Sequence, residues 1–320
     1  MRRVLICLPA AAIAAFLCLG SAAPRAAEGR DPLNVLLLSG PHFELDEQMA
    51  ARLEGQGMRL SVRPLDQPLS MEMLKLFEAV AVPNFVGLQP PAFVPRSHVV
   101  RYLNARRNID LLHRYVEAGG GVFFSPDMRG GGNEVAESCE ALLEPWGLRV
   151  LAAQVRDDAR ACCEGEYAWT TAIQPSPVTE GVRRIVYPTN MLRWDDAYAT
   201  PVIVPEVDEW RVVVRGMPGS TAATGLQYTT WFPIEDRRAP AIAAVRQVGA
   251  GRLAALGVSS FYTLWKPFAD PQRGWVGESH TGTINGIFLE KGDHEGTSDG
   301  MRLLVNMMQW LGEAGREAGF

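Results

Sequence analysis

Polar residues follow several apolar runs of this chain, and their types suit ligand binding or acid–base chemistry. Asp127 comes two residues after a strand-like run at 122–125, where its carboxylate could orient a sugar hydroxyl or act as a general base. Asp127 could equally be a turn residue that satisfies the backbone of the glycine loop behind it. Residues at or after the ends of the strand-like runs should lie along one ligand-binding edge of the protein. The candidate ligand-binding residues there are Gly40, His42, Asn84, Phe85, Ser125, Asp127 and Asn133.

A segment rich in aromatic and polar residues lies near the end of the chain, at 261–288. Aromatic rings beside polar groups suit carbohydrate or peptide binding, because a ring covers an apolar sugar face while polar groups hold the hydroxyls. We therefore add Tyr262, Trp265 and His280 to the candidate ligand-binding residues. The alternative is a lid that folds over the edge of the sheet and only adds stability. Asp293, His294 and Glu295 form a further polar cluster, which we expect to be solvated.

His42, Glu44 and Asp46 occupy alternate positions and could present ligands to a divalent metal. The carboxylates at 44–47 also suit the first turn of a helix, where they meet the positive end of its dipole. We favour the helix, and we expect no metal and no cofactor.

Strand-like and helical patterns alternate in the first half of the chain. Predicted strands at 33–39, 79–82 and 122–125 are largely apolar, which indicates burial on both faces of a sheet, and the strand at 79–82 breaks at Pro83-Asn84. The other predicted elements are a strand at 58–65 and helices at 44–56, 70–77 (capped by Ser70), 104–118 and 133–146. Four β-α units in sequence predict a doubly wound, mostly parallel, flavodoxin-like α/β sheet. Ligands bind such sheets at the carboxyl ends of the strands.

Short β-like pieces separated by Pro and Gly turns occupy the second half, and they predict an antiparallel β extension of the sheet. We expect a hairpin at 241–258 and a final helix at 299–313. Residues 28–320 are thus predicted to form a single α/β domain with an inserted β-rich segment at about 160–240.

Met1 to Ala27 has Arg2 and Arg3, an apolar run at 4–19 and then small residues, the pattern of a secretory signal peptide. A permanent membrane anchor is the alternative, but roughly 16 apolar residues are short for a hydrocarbon layer of ~30 Å. We expect a secreted or periplasmic protein that meets a membrane only through an uncleaved leader. Cleavage after Ala27 would change the formal net charge from -5 to -8, which gives no basic face for nucleic acid.

Cys139, Cys162 and Cys163 lie beyond the leader. An oxidising compartment would favour a disulfide between Cys139 and one of the adjacent pair. The pair itself could be redox-active, although a ring between neighbouring cysteines is strained, and we favour a structural role.

Several short motifs resemble the class I glutamine amidotransferase-like superfamily. They are YVEAGGGVFFSPD at 115–127, LLEPWGLRV at 142–150, SPVTEG at 176–181, WDDAY at 194–198 and GAGRLAALG at 249–257. The likeness is to branches without amidotransferase activity, namely ThuA-like proteins and the auxiliary domains of gliding-motility and transport systems. ThuA-like proteins begin the SPVTEG motif with histidine, where this chain has Ser176.

The resemblance also implies what chemistry to expect. A true amidotransferase has its nucleophilic cysteine on the turn after the fourth strand, whereas this chain has Ser125, Pro126 and Asp127 there, with no GxCxG or GxSxG pattern at that turn. We therefore predict no glutaminase activity. The first hypothesis is a secreted non-catalytic domain that binds a small ligand, carbohydrate or protein partner. The alternative is a ThuA-like carbohydrate-processing enzyme, which would require Asp127, His42 and His280 to converge within about 8 Å.

Overall fold

The elements of the chain alternate between strands and helices before a long run of strands. A computed structural model describes residues 31–39, 45, 47–65, 67–85, 96–126, 141–165, 167–189, 200–226, 230–258 and 287–320. Its helices are α1 (Glu47–Glu54), α2 (Met71–Leu74), α3 (Arg96–Glu117) and α4 (Gly300–Glu317). Its strands are β1 (Leu33–Ser39), β2 (Met58–Pro64), β3 (Ala79–Phe85), β4 (Gly121–Pro126), β5 (Leu148–Arg156), β6 (Ala161–Cys162), β7 (Tyr167–Thr170), β8 (Ile185–Pro188), β9 (Pro201–Pro205), β10 (Arg211–Arg215), β11 (Thr221–Leu226), β12 (Thr230–Arg238), β13 (Ala241–Val248) and β14 (Gly251–Leu256).

Within the described residues, eleven strands form one sheet in the order β12-β11-β5-β9-β13-β14-β4-β3-β1-β2, with β10 also paired to β13. Strands β2, β1, β3, β4 and β14 run parallel, and β14 turns back to β13 in a hairpin. The remaining pairings are antiparallel. The predicted flavodoxin-like sheet with an antiparallel extension is confirmed, and so is the hairpin.

The central strands are largely apolar because helices cover both faces of the parallel half. Leu36 and Leu38 of β1 pack on one face with α2 and α3, in the same cluster as Tyr115. Val35 and Leu37 pack on the other face, in the same cluster as residues of α1 and α4. Alternate side chains of one strand therefore enter two separate cores, as expected for a strand buried on both sides.

Several predicted boundaries are wrong. Helix α2 ends at Leu74 rather than at residue 77, and α4 continues to Glu317 rather than ending at residue 313. β3 does not break at Pro83-Asn84 but continues to Phe85, because its pairing with β4 shifts between Pro83 and Phe85 and this irregularity accommodates a residue without an N–H. Helix α3 begins at Arg96 rather than near residue 104, since neither glycine nor proline interrupts the chain between Arg96 and Glu117. The predicted cap of α2 is confirmed, since the Ser70 hydroxyl accepts a hydrogen bond from the Met73 N–H.

The β-rich segment divides into two parts. β9 and β10 join the main sheet as predicted, but β7 pairs with β6 and β8 in a separate three-stranded sheet. The small sheet forms because Ala168, Ile185 and Tyr187 pack on the core cluster that contains α4 instead of extending the main sheet. No helix in the described ranges has both the length and the apolar composition needed to cross a bilayer.

Candidate functional site

The carboxyl edge of the parallel strands is the expected ligand site of this sheet. The strand order β2-β1-β3-β4 reverses direction between β1 and β3, and ligands bind in the crevice at such a switch point. The segments that follow β1, β3 and β4 there, and the one that follows residue 258, lie largely outside the described residues, at 40–44, 86–95, 127–140 and 259–286.

Three of the predicted ligand-binding residues lie within the described ranges. Asn84 and Phe85 are the last residues of β3, not loop residues after it, because the strand passes through Pro83. Ser125 is the penultimate residue of β4. The others lie outside the described residues, so the predicted convergence of three of them stays a prediction: Gly40, His42, Asp127, Asn133, Tyr262, Trp265 and His280.

Ser125 occupies the position where an amidotransferase would end its fourth strand. Its side chain is 0% exposed, and its Oγ donates a hydrogen bond to the carbonyl oxygen of Val258 at 2.9 Å. Val258 follows the neighbouring strand β14, so the hydroxyl joins the ends of two parallel strands. Pro126, the next residue, is also buried and has no N–H to offer an oxyanion. The Ser125 hydroxyl and Pro126 therefore pack inside the protein at the end of β4.

Replacement of Ser125 by alanine is expected to destabilise the protein by about 1–3 kcal/mol, because the buried carbonyl of Val258 loses its donor. Urea unfolding followed by circular dichroism measures this change. Ser61→Ala is the control, since Ser61 is only half-buried on the edge strand β2 and its loss should cost no more than about 0.5 kcal/mol. Equal stabilities of the two variants would contradict the role given to the Ser125 hydroxyl.

The chain contains a GxSxG string elsewhere, at 296–300, but its serine also has a structural role. Ser298 is 4% exposed, and its Oγ accepts a hydrogen bond from the Val186 N–H at 3.0 Å. The string precedes α4 instead of following a central strand, as a nucleophile elbow does. Its Asp299 accepts hydrogen bonds from the N–H groups of Arg183 and Arg184. These contacts attach the start of α4 to the segment before β8.

The SPVTEG motif at 176–181 forms a turn that packs on α4. The Thr179 hydroxyl donates to the carbonyl oxygen of Gln174 at 2.7 Å, and Val178 is buried in the core. From α4, the Asn306 side chain donates to the carbonyls of Val178 and Glu180. Packing accounts for the buried residues of this motif without any chemistry.

An open groove of about 510 Å³ lies beside this turn, and sequence reasoning did not find it. Its walls include Ile173, Pro175 and Ser176, with the exposed charges of Glu180 and Arg183 at its rim. Ser176 is the residue that stands where ThuA-like proteins have histidine.

The Asp293 carboxylate is buried, which corrects the prediction that the 293–295 cluster is solvated. The side chain is 0% exposed, and Nη2 of Arg184 lies 2.9 and 2.8 Å from its two oxygens. Burial by itself raises the pKa of Asp293, but hydrogen bonds from Arg184, from the Cys162 thiol and from the Glu295 N–H together lower the pKa well below its usual value. His294 and Glu295 are exposed as predicted. No local pattern marks Asp293, because Arg184 is 109 residues away in the chain.

Among the residues that the structure describes, no group of three or more His, Cys, Asp or Glu side chains is arranged to hold a metal ion. Glu44 and Asp46 of the predicted acidic turn lie outside those residues, while α1 begins at Glu47. Cys162 is a buried free thiol, and Cys139, the predicted partner of either Cys162 or Cys163, lies outside the described residues.

No protein-family model matches the chain, and no curated protein matches it. Among solved structures, the chain is similar to the mmIFT52 N-terminal domain, with 13% identity, a TM-score of 0.50 and coverage of 87% of this chain and 96% of that chain. It is also similar to a glutamine amidotransferase from Thermotoga maritima, with 9% identity, a TM-score of 0.46 and coverage of 89% and 100%. A protein described as ThuA-like, from Bacteroides uniformis ATCC 8492, has 13% identity, a TM-score of 0.40 and coverage of 88% and 100%.

At these identities the similarities concern the fold and no particular activity. The parallel strands β2-β1-β3-β4-β14, covered by helices on both faces, form the mostly parallel α/β sheet that the sequence predicted. The chain thus shares the fold of the mmIFT52 N-terminal domain, and its α/β architecture agrees with the amidotransferase-like fold that the sequence motifs predicted.

Proposed function

We propose that this protein is a secreted, non-catalytic amidotransferase-like domain that binds a small ligand, a carbohydrate or a protein partner at the carboxyl edge of its sheet. The observation that supports the proposal most directly is the environment of the Ser125 hydroxyl. This hydroxyl is buried and donates a hydrogen bond to Val258, next to the turn where an amidotransferase would have its nucleophilic cysteine.

Acyl transfer from glutamine needs a nucleophile that reaches the substrate, a base beside it, and donors for the oxyanion. The Ser125 hydroxyl donates to a backbone carbonyl inside the protein, and the residue after it is Pro126. The end of β4 therefore offers neither an accessible hydroxyl at Ser125 nor an N–H donor at Pro126. The scaffold that positions the surrounding segments is retained, which favours binding over catalysis.

The segments that follow the parallel strands in the sequence contain the kinds of side chain that a binding site requires. Asp127 comes directly after β4 and His42 three residues after β1, and they offer a carboxylate and an imidazole to hydroxyl groups. Tyr262 and Trp265 offer aromatic faces soon after β14. This combination suits a sugar-like ligand, which presents both hydroxyls and an apolar face.

A thermal-shift screen of the purified protein tests the proposal with sugars, nucleotides and glutamine as probes. A sugar is expected to raise the melting temperature, since a ligand at about 100 times its Kd stabilises the native state by about 2.7 kcal/mol. Asp127→Asn should abolish that shift. Asp110→Asn should keep it, because Asp110 is an exposed aspartate on α3.

An ammonia-release assay with glutamine as substrate tests the expected lack of glutaminase activity. We expect no release above that of buffer. Release by the wild-type protein that Ser125→Ala abolishes would overturn the proposal, because it would show Ser125 acting as a nucleophile.

A further inference from the structure

Cys162 and Cys163 are adjacent at the end of β6, where the backbone leaves the regular strand conformation. In a regular strand, consecutive side chains point to opposite faces and their sulfurs diverge. Here β6 ends at Cys162, and Cys163 has a φ of 51°, in the left-handed region that few residues other than glycine adopt. Such local strain is often found at functional sites.

The environments of the two thiols differ. Cys162 is 6% exposed, and Cys163 is only half-buried at the start of a 3-10 turn. Burial, then a hydrogen bond to the Asp293 carboxylate and interactions with Cys163, raise the pKa of the Cys162 thiol well above its usual value. Cys162 is thus held as a protonated thiol in contact with both Cys163 and Asp293.

We propose that Cys162 and Cys163 form a reversible redox site, which a low-molecular-weight disulfide oxidises to a single intramolecular disulfide. Cys163, the more accessible thiol, attacks the small disulfide, so that one new S–S bond forms and one small thiol leaves with a proton. Cys162 then attacks the sulfur of Cys163 in this mixed disulfide and displaces the second small thiol, which takes up the Cys162 proton. Two protein thiols are oxidised, and one small disulfide is reduced to two thiols.

The product is a labile bond and not a permanent cross-link. Adjacent Cα atoms are about 3.8 Å apart across a trans peptide, whereas the Cα atoms of ordinary disulfides are roughly 4.4–6.8 Å apart. The resulting strain makes the bond easier to reduce, which is a property of regulatory disulfides rather than structural ones.

Oxidation also acts on the turn around Asp293. The Cys162 thiol is one of the donors to this carboxylate, and the N–H groups of Glu295 and Gly296 bind it at 2.8 and 3.1 Å. A disulfide sulfur has no hydrogen to donate, so oxidation removes one hydrogen bond from Asp293. The segment that leads into α4 is held less firmly as a result.

The test exposes the reduced, folded full-length protein to oxidised glutathione and then analyses it by intact mass and peptide mapping. The expected result is loss of two hydrogen atoms from the peptide that contains both cysteines, reversed by dithiothreitol. Cys139→Ser should react like the wild-type protein. Cys163→Ser should not form the bond. Amides of Glu295 and Gly296 should exchange hydrogen faster in the oxidised protein, while those of β1 stay unchanged.

Three results would overturn the proposal. They are a stable glutathione adduct on Cys163, a disulfide that maps to Cys139, and no reaction of the folded protein. Unchanged exchange at Glu295 and Gly296 after oxidation would overturn the coupling to Asp293. Peptide mapping of the oxidised wild-type protein tests the proposal even if a variant fails to fold.

Discussion

Arg184→Ala is expected to lower the free energy of unfolding by about 3–5 kcal/mol, because it leaves the buried Asp293 carboxylate without its cationic partner. Arg184 also makes a hydrogen bond and a contact with an aromatic ring. Its Nη1 donates to the carbonyl of Gly296 at 2.6 Å, and its guanidinium lies 5.1 Å from the ring centroid of Trp169. The substitution therefore detaches the small sheet from the segment before α4.

Arg183→Ala is the matched control for this prediction, measured by urea unfolding at pH 7. Arg183 is adjacent in sequence but exposed, and its N–H bond to Asp299 comes from the backbone, which the substitution keeps. The control should change stability by no more than about 0.5 kcal/mol. If both variants lost equal stability, the Arg184–Asp293 pair would not be the cause.

Because of the Arg184–Asp293 ion pair, the stability loss caused by Arg184→Ala should depend on pH. The folded state lowers the pKa of Asp293, so the carboxylate adds stability that is fully present above its unfolded pKa of about 3.9. That contribution falls as the pH drops below this value toward the lower folded pKa. Repeating the unfolding at pH 7 and pH 3 should thus show a smaller Arg184→Ala penalty at pH 3, and an equal penalty would contradict the assignment.

Gly121→Ala should destabilise the protein by about 3 kcal/mol, because β4 and α4 leave no room for a side chain. A Cβ at Gly121 would lie 2.4 Å from the carbonyl oxygen of Leu311 and 2.8 Å from its carbonyl carbon. These atoms belong to the backbone of a helix, so the strand and the helix must separate to relieve the clash. Thermal unfolding followed by calorimetry measures the loss.

Gly55→Ala provides the comparison, since a Cβ there meets only the carbonyl oxygens of Arg52 and Ala51, at 3.4 and 3.5 Å. This change should be neutral or stabilise by up to about 1 kcal/mol, through a less flexible unfolded chain. Should Gly121→Ala prove as stable as the wild-type protein, the close packing of α4 on β4 would be disproved.

The parallel core was predictable because its signals are local. The apolar run at 33–39 predicted β1 with the bounds that the structure has, and the glycine turn at 249–251 predicted the β13–β14 hairpin. Prediction was poorer where neighbours in space overrode a local signal. Pro83 reads as a strand break, yet the pairing of β3 with β4 accommodates it. β7 reads as part of the sheet extension, yet packing near α4 places it in a separate sheet.

The sequence by itself determined the alternation of strands and helices and the lack of a cysteine after the fourth strand, since periodicity and residue identity need no partner. Only the tertiary structure decided what Ser125 and Asp293 do. Their partners, Val258 and Arg184, are 133 and 109 residues away in the chain. A hydroxyl or a carboxylate acquires its role from the atoms that surround it, and over such separations folding alone brings those atoms together.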